Sequence, residues 1–150
     1  MCSLLFIILN MAACSGNAQS EQETSPTTGN RKMNIQVNGR VLTATLVDNS
    51  SIAALLEQLA KGTITYEAHD YGNFEKVGDI GIELPQNNTD ITTQPGDIIL
   101  YQGRNICIYY DRNRWNFTRI GKIDNITRQE LMRILGTGNC TVTLSLPPDQ

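Results

Sequence analysis

The stretch MNIQVNGRVLTATL, residues 33–46, narrows the possible folds of this chain more than any other. Asn38-Gly39 lies between two runs in which apolar and polar residues alternate. Both residues of a two-residue hairpin turn take positive φ, which Asn and Gly accept at little cost. Ile35 and Val37 alternate with polar neighbours before the turn; Leu42, Ala44 and Leu46 do so after it. A period of two buries one face of each strand. The folded part therefore opens near Met33 with an antiparallel hairpin.

Further strands follow the same logic. TITYEA, DIILY, NICIYY, WNFTRIGKI and NCTVTLSL are short, rich in β-branched and aromatic residues, and separated by turn residues. Two segments have helical spacing instead. In NSSIAALLEQLAKG, Ile52, Leu55, Leu56 and Leu59 recur at i, i+3, i+4 and i+7, with Asn49 or Ser50 as N-cap and Gly62 at the end. Thr127 and Glu130 have capping-box spacing ahead of Leu131, Ile134 and Leu135, and Gly136 closes that helix. Residues 69–97, rich in Gly, Pro and Asn, are expected to be mostly loop. The chain has 150 residues, of which 40% are hydrophobic, enough for one domain with a real core. The fold class is mostly β. The pattern predicts a closed antiparallel barrel whose two short helices cover its ends.

The N-terminus differs in kind. MCSLLFIILNMAAC carries no charge and is too short to span a bilayer, which needs about 20 apolar residues. It resembles a secretory h-region, and MAAC resembles the lipobox of bacterial lipoproteins, although no Lys or Arg precedes Ser3. That resemblance implies cleavage before Cys14 and a diacylglyceryl group on its thiol. Residues 15–32 hold no large apolar side chain and read as a flexible tether. The expected organisation is a signal peptide over 1–13, a lipidated Cys14 and tether over 14–32, and a domain over 33–150. The partner so implied is a membrane, reached through the lipid anchor. The expected location is the bacterial cell envelope, on the periplasmic or outer-membrane side.

A net charge of -3 gives no basic footprint for nucleic acid. Among motifs there is no metal-ligand spacing, no cofactor fingerprint and no hydrolase elbow. Cys107 and Cys140 lie in apolar strand patterns, either as a disulfide of an exported protein or as buried free thiols. His69, the only histidine, has no evident ligand set. Trp115, Phe117 and Arg119 alternate, so a strand places all three on one face. Two readings of Arg119 stand. In one it is a structural clamp on a carboxylate, with Asp124, Asp97, Asp79 or Glu75 as partner. In the other, Trp115, Phe117 and Arg119 form a platform for a peptide or small ligand. Tyr71 and Phe74 either edge a pocket or cover the core.

KVGDIGIELP, GDIILYQGRNICIYY, FTRIGKID and LGTGNCTVTL occur in this order, within a resemblance that covers about residues 33–146. Together they resemble the bacterial cyclophilin-like domain family. The resemblance implies a closed barrel of about eight strands with two capping helices. It assigns no activity, because the family is named for its fold. True cyclophilins are peptidyl-prolyl isomerases, whose arginine eases rotation about an amide with a barrier of about 18–20 kcal/mol. That arginine lies in a Phe-His-Arg run followed by Phe-Met-x-Gln-Gly-Gly. Here Phe117-Thr118-Arg119 lacks the histidine, and GKIDNITRQE follows. The expected function is thus a tethered module binding a peptide or small ligand. The alternative is a peptidyl-prolyl isomerase for exported proteins, with Arg119 as its catalytic residue.

Overall fold

A computed structural model describes residues 31–148. The expected signal peptide, Cys14 and most of the tether lie outside the described residues. The first elements are β1 (Lys32–Val37), β2 (Arg40–Leu46), α1 (Ser50–Lys61), β3 (Ile64–Tyr71) and β4 (Glu75–Asp79). Then come β5 (Thr89–Thr92), β6 (Asp97–Tyr101), β7 (Asn105–Tyr109), β8 (Arg114–Ile123), α2 (Arg128–Leu135) and β9 (Cys140–Ser145). β1 begins one residue before Met33, and Arg31 already accepts a backbone hydrogen bond from Leu46 at 2.8 Å.

Every strand pairing is antiparallel, in the order β2-β1-β9-β3-β4-β7-β6-β8. β8 returns to β2, with Ala44 opposite Ile123 and Leu46 opposite Gly121, so eight strands close a barrel. The ninth, β5, pairs with the first half of β8, from Thr89 opposite Phe117 to Thr92 opposite Arg114. Closure leaves those eight strands without a free edge along the seam. Asn38 and Gly39 take φ of 48° and 72°, the pair of positive values the β1–β2 turn needs.

Barrel interior and helix stripes form one core. Met33, Ile35, Ile98, Leu100, Ile106, Ile108, Ile120 and Val142 point inward and meet Ile52, Leu55 and Leu59 of α1 and Leu131, Ile134 and Leu135 of α2. Asn49 caps α1, accepting from Ile52 N at 2.9 Å, and its amide donates to the Arg119 carbonyl at 2.9 Å. α2 is held from the β1–β2 turn, where Asn38 donates to the carbonyls of Ile134 and Leu135 at 2.9 and 3.1 Å. β2 starts beside α2 and ends just before α1, so the helices sit at opposite ends of the barrel.

The expectation of a long loop over 69–97 is corrected. β3 continues to Tyr71, β4 follows after a tight turn, and β5 adds to β8. Glu75-Lys76 hides β4 from any hydrophobic pattern, because both charged residues are buried, one on each face of the strand. Lys76 lies inside with no exposed surface, and its ammonium reaches Asp70 at 2.9 Å and the Gly138 carbonyl. Gly78 permits β4 to cross β3, since a Cβ there would stand 2.0 Å from the Glu67 carbonyl oxygen.

Candidate functional site

A second cluster lies on the outside of the barrel wall. Val77, Ile99, Cys107, Tyr109, Phe117 and Ile91 are buried there, with Phe74 and Tyr101 packed against them. Register explains the grouping. Glu75 stands opposite Tyr109, Val77 and Ile99 both stand opposite Cys107, and Ile99 stands opposite Arg119. The outer face of β4, β7, β6 and β8 is therefore apolar, where a barrel wall facing water would be polar.

This face carries a cavity of about 300 Å³ lined by Tyr71, Phe74, Glu75, Tyr101, Tyr109, Asn113, Trp115 and Phe117. Five of its rings form a continuous chain. Tyr71 meets Phe74 edge-on at 6.0 Å, Phe74 lies parallel to Tyr109 at 5.9 Å, Tyr109 meets Phe117 at 5.9 Å, and Phe117 meets Tyr101 at 6.2 Å. Trp115 is 60% exposed at the rim. Tyr71 and Phe74 come from the β3–β4 turn, where Gly72 and Asn73 have φ of 60° and 58°. Asn113 comes from the β7–β8 turn and donates to the Tyr109 hydroxyl at 3.3 Å.

Glu75 gives the cavity its one acidic group. It is only 6% exposed, and its Oε2 has no hydrogen-bond partner among the described residues. Burial pushes its carboxyl above the usual range, against hydrogen bonds from Tyr109 and Cys107 and the charge of His69. The neighbours respond. Burial, and then the carboxyl, push the Cys107 thiol and the Tyr109 hydroxyl well up. Cys107, 1% exposed, is thus held as a buried neutral thiol. Cys140 is also free, and it belongs to the interior cluster, so the wall separates the two sulfurs.

Four of the five expected binding residues, Trp115, Phe117, Tyr71 and Phe74, meet in this cavity. Arg119 does not line it. Its guanidinium pairs with Asp97 at 3.0 Å, with Arg119 35% and Asp97 4% exposed at the side chain. Lys122 approaches the same oxygen at 3.6 Å, and the other oxygen accepts from Gln94 N–H at 2.9 Å. Arg119 is therefore placed as a clamp, half-exposed, on one of the carboxylates expected for that role. Thr118, where cyclophilins carry histidine, faces the other way. It is fully buried, accepts from Asn87 N–H at 2.7 Å and donates to Asn88 at 2.8 Å, fastening the segment before β5. His69 is exposed on β3. Sequence reasoning did not assign Tyr101, Tyr109, Asn113 or Glu75 to the pocket. The alternation of Tyr101 and Tyr109 with inward-facing residues was the available signal.

A roomier hollow between α2 and the β3–β4 turn is lined by Asp70, Tyr110, Arg128 and Met132, among others. Two of its charges are already matched, Asp70 to Lys76 and Arg128 to Asp111 at 2.8 Å, and Arg133 also lines it.

A model described as a cyclophilin-like family matches residues 35–145. No curated protein matches the sequence. The fold is similar to the solution structure of a hypothetical protein from Archaeoglobus fulgidus, with a TM-score of 0.58 and 16% identity, over 79% of this chain and 95% of that one.

Proposed function

This chain belongs to the cyclophilin-like family, and we propose that its barrel is a binding module whose ligand, a small molecule or a peptide side chain, occupies the aromatic cavity on the outer wall. One observation carries the reading. Six aromatic side chains and a buried carboxyl converge on about 300 Å³ of open space, where a sheet with no partner would present polar residues. Binding is favoured over isomerisation because, among the described residues, no Lys or Arg lines the cavity, and Arg119 is committed to Asp97. An isomerase of the cyclophilin type needs a cationic donor facing the amide carbonyl. The N-terminal MCSLLFIILNMAAC supports the further proposal that Cys14 is lipidated and tethers the module in the cell envelope.

The test uses the chain's single tryptophan, Trp115, at the cavity rim. Its emission is followed while small molecules and short peptides, Xaa-Pro peptides included, are added. Saturable changes for at least one compound, lost in Phe117→Ala, are expected. A parallel isomerisation assay should show no catalysis. Isomerisation abolished by Arg119→Ala would replace this reading with the enzyme.

A further inference from the structure

We infer that the ligand head group held by this cavity is a compact organic cation of the methylated-ammonium kind, with Glu75 as its counter-charge and the aromatic rings as its walls. The inference rests on the reading of the cavity as a ligand site and names the chemistry that site selects.

Three features point the same way. First, ring faces are negative and attract a cation within about 6 Å of the centroid, while they disfavour an anion. Tyr71, Phe74, Tyr109, Phe117 and Tyr101 form an unbroken run of rings spaced 5.9 to 6.2 Å apart, and Trp115 stands beside them. Second, Glu75 is more than nine-tenths buried and keeps one oxygen without a partner. A buried carboxyl in that condition is relieved by a proton or by a cation. Third, the Lys and Arg side chains that β8 places on this face are already spent. Arg119 and Lys122 share Asp97. The protein matches that carboxylate internally, whereas Glu75, at the cavity wall, keeps one buried oxygen without a partner among the described residues. The lining adds few other polar groups, mainly Asn113 and tyrosine hydroxyls. A bare ammonium would lose its hydration without replacing it, whereas N-methyl groups suit apolar walls and still carry charge to the carboxyl.

The full-length purified chain is titrated with tetramethylammonium, with choline, and with the neutral carbon isostere of choline, in which a tert-butyl group replaces trimethylammonium. Trp115 emission is the readout. Both cations are expected to saturate, and the isostere to bind about tenfold weaker or worse. Glu75→Gln, nearly isosteric, should weaken choline about tenfold and leave the isostere unchanged. Tyr71→Ala, at an exposed rim position, should weaken choline several-fold without loss of fold. An acetylated trimethyllysine amide carries the same head group on a side chain. Its affinity relative to choline separates a peptide source from a small-molecule source. Equal binding of choline and its isostere, or choline binding untouched by Glu75→Gln, would overturn the inference while the cavity remained a ligand site. Silence toward the cations, the isostere and every other compound tested would overturn both.

Discussion

Tyr66 lies in the barrel interior at 4% exposure, opposite Val142 on β9, and its hydroxyl has no hydrogen-bond partner among the described residues. Burial pushes that hydroxyl far above the usual range for a phenol. In the unfolded chain water satisfies the same group. Folding therefore charges the protein the desolvation of an unpaired hydroxyl, about 1–3 kcal/mol. Tyr66→Phe removes that cost. It leaves a void of about 10–15 Å³, one water-sized sphere. At about 24 cal/mol per Å³ the void costs about 0.3 kcal/mol. The variant should be more stable than the parent by about 1–2 kcal/mol. For a domain of this size that is a rise of about 3–8 °C in Tm. Urea denaturation followed by circular dichroism gives the free energy directly, with an unchanged m-value showing that the unfolded state is the same. A Tm equal to or below that of the parent would refute the reasoning and show that the hydroxyl holds a partner, such as a buried water.

Glu75→Gln should change how stability depends on pH. The Glu75 carboxyl is held above its usual range by burial, with Tyr109, Cys107 and Tyr110 of β7 and its end, and His69 of β3, as the titratable groups around it. Between its unfolded and folded values the native state keeps a proton that the unfolded chain has released. Stability from this group is thus full below the unfolded value and falls as pH rises through the folded one. The E75Q variant should therefore gain on the parent over that window, and parallel stability curves would refute this. Gly78→Ala should cost about 3 kcal/mol or more, because its Cβ would meet the Glu67 carbonyl at 2.0 Å and the strands must part. Unfolding at the parent's urea midpoint would disprove that close approach. Arg119→Ala should lower stability by about 1–2 kcal/mol, since Asp97 keeps Lys122 and the Gln94 N–H, and should leave ligand titrations of the cavity unchanged. A loss of binding without a loss of stability would instead make Arg119 a ligand contact.

Most of the barrel was legible because its strands obey the period of two. Asn38-Gly39 fixed one hairpin, and the caps at Asn49 and Thr127 fixed both helices. β4 and β5 escaped for separate reasons. β4 reads EKVGD, whose two charges suggest a solvated loop, yet Glu75 and Lys76 are both buried. β5 is a four-residue strand, TDIT, with one buried apolar residue, too short for any periodicity. The site was half legible. Trp115 and Phe117 lie on one strand face, as their spacing required, and Tyr71 and Phe74 stood out as aromatics between turn residues. Tyr101 and Tyr109 looked like strand ends, because nothing local tells which side of a barrel wall carries a second apolar layer. Arg119 shares the face of Phe117, but a sequence does not say which of four carboxylates comes within reach.

β4 also places the two buried charges of the wall under opposite conditions. Lys76 points inward, where Asp70 and the Gly138 carbonyl meet its ammonium. Asp70 is in turn bound by Tyr110 at 3.1 Å and by Gly138 N–H at 3.0 Å. That network ties β3, β4 and the α2–β9 turn, and it needs nothing from outside. Glu75, one residue earlier, points outward into a cavity and keeps an oxygen unpaired. Tyr66 keeps one too, but inside a packed core where no ligand can reach it. The same defect thus has different consequences in the two places. In the core it is only a cost, which Tyr66→Phe removes. At the cavity it is a cost that a ligand of the right charge can remove, and binding free energy comes from that relief. A cation gains the carboxyl and the ring faces together, whereas a neutral molecule gains only the apolar contact. Glu75→Gln is therefore expected to raise the stability of the empty protein above the usual carboxyl range and lower its affinity for a cation, two opposite effects from a single change.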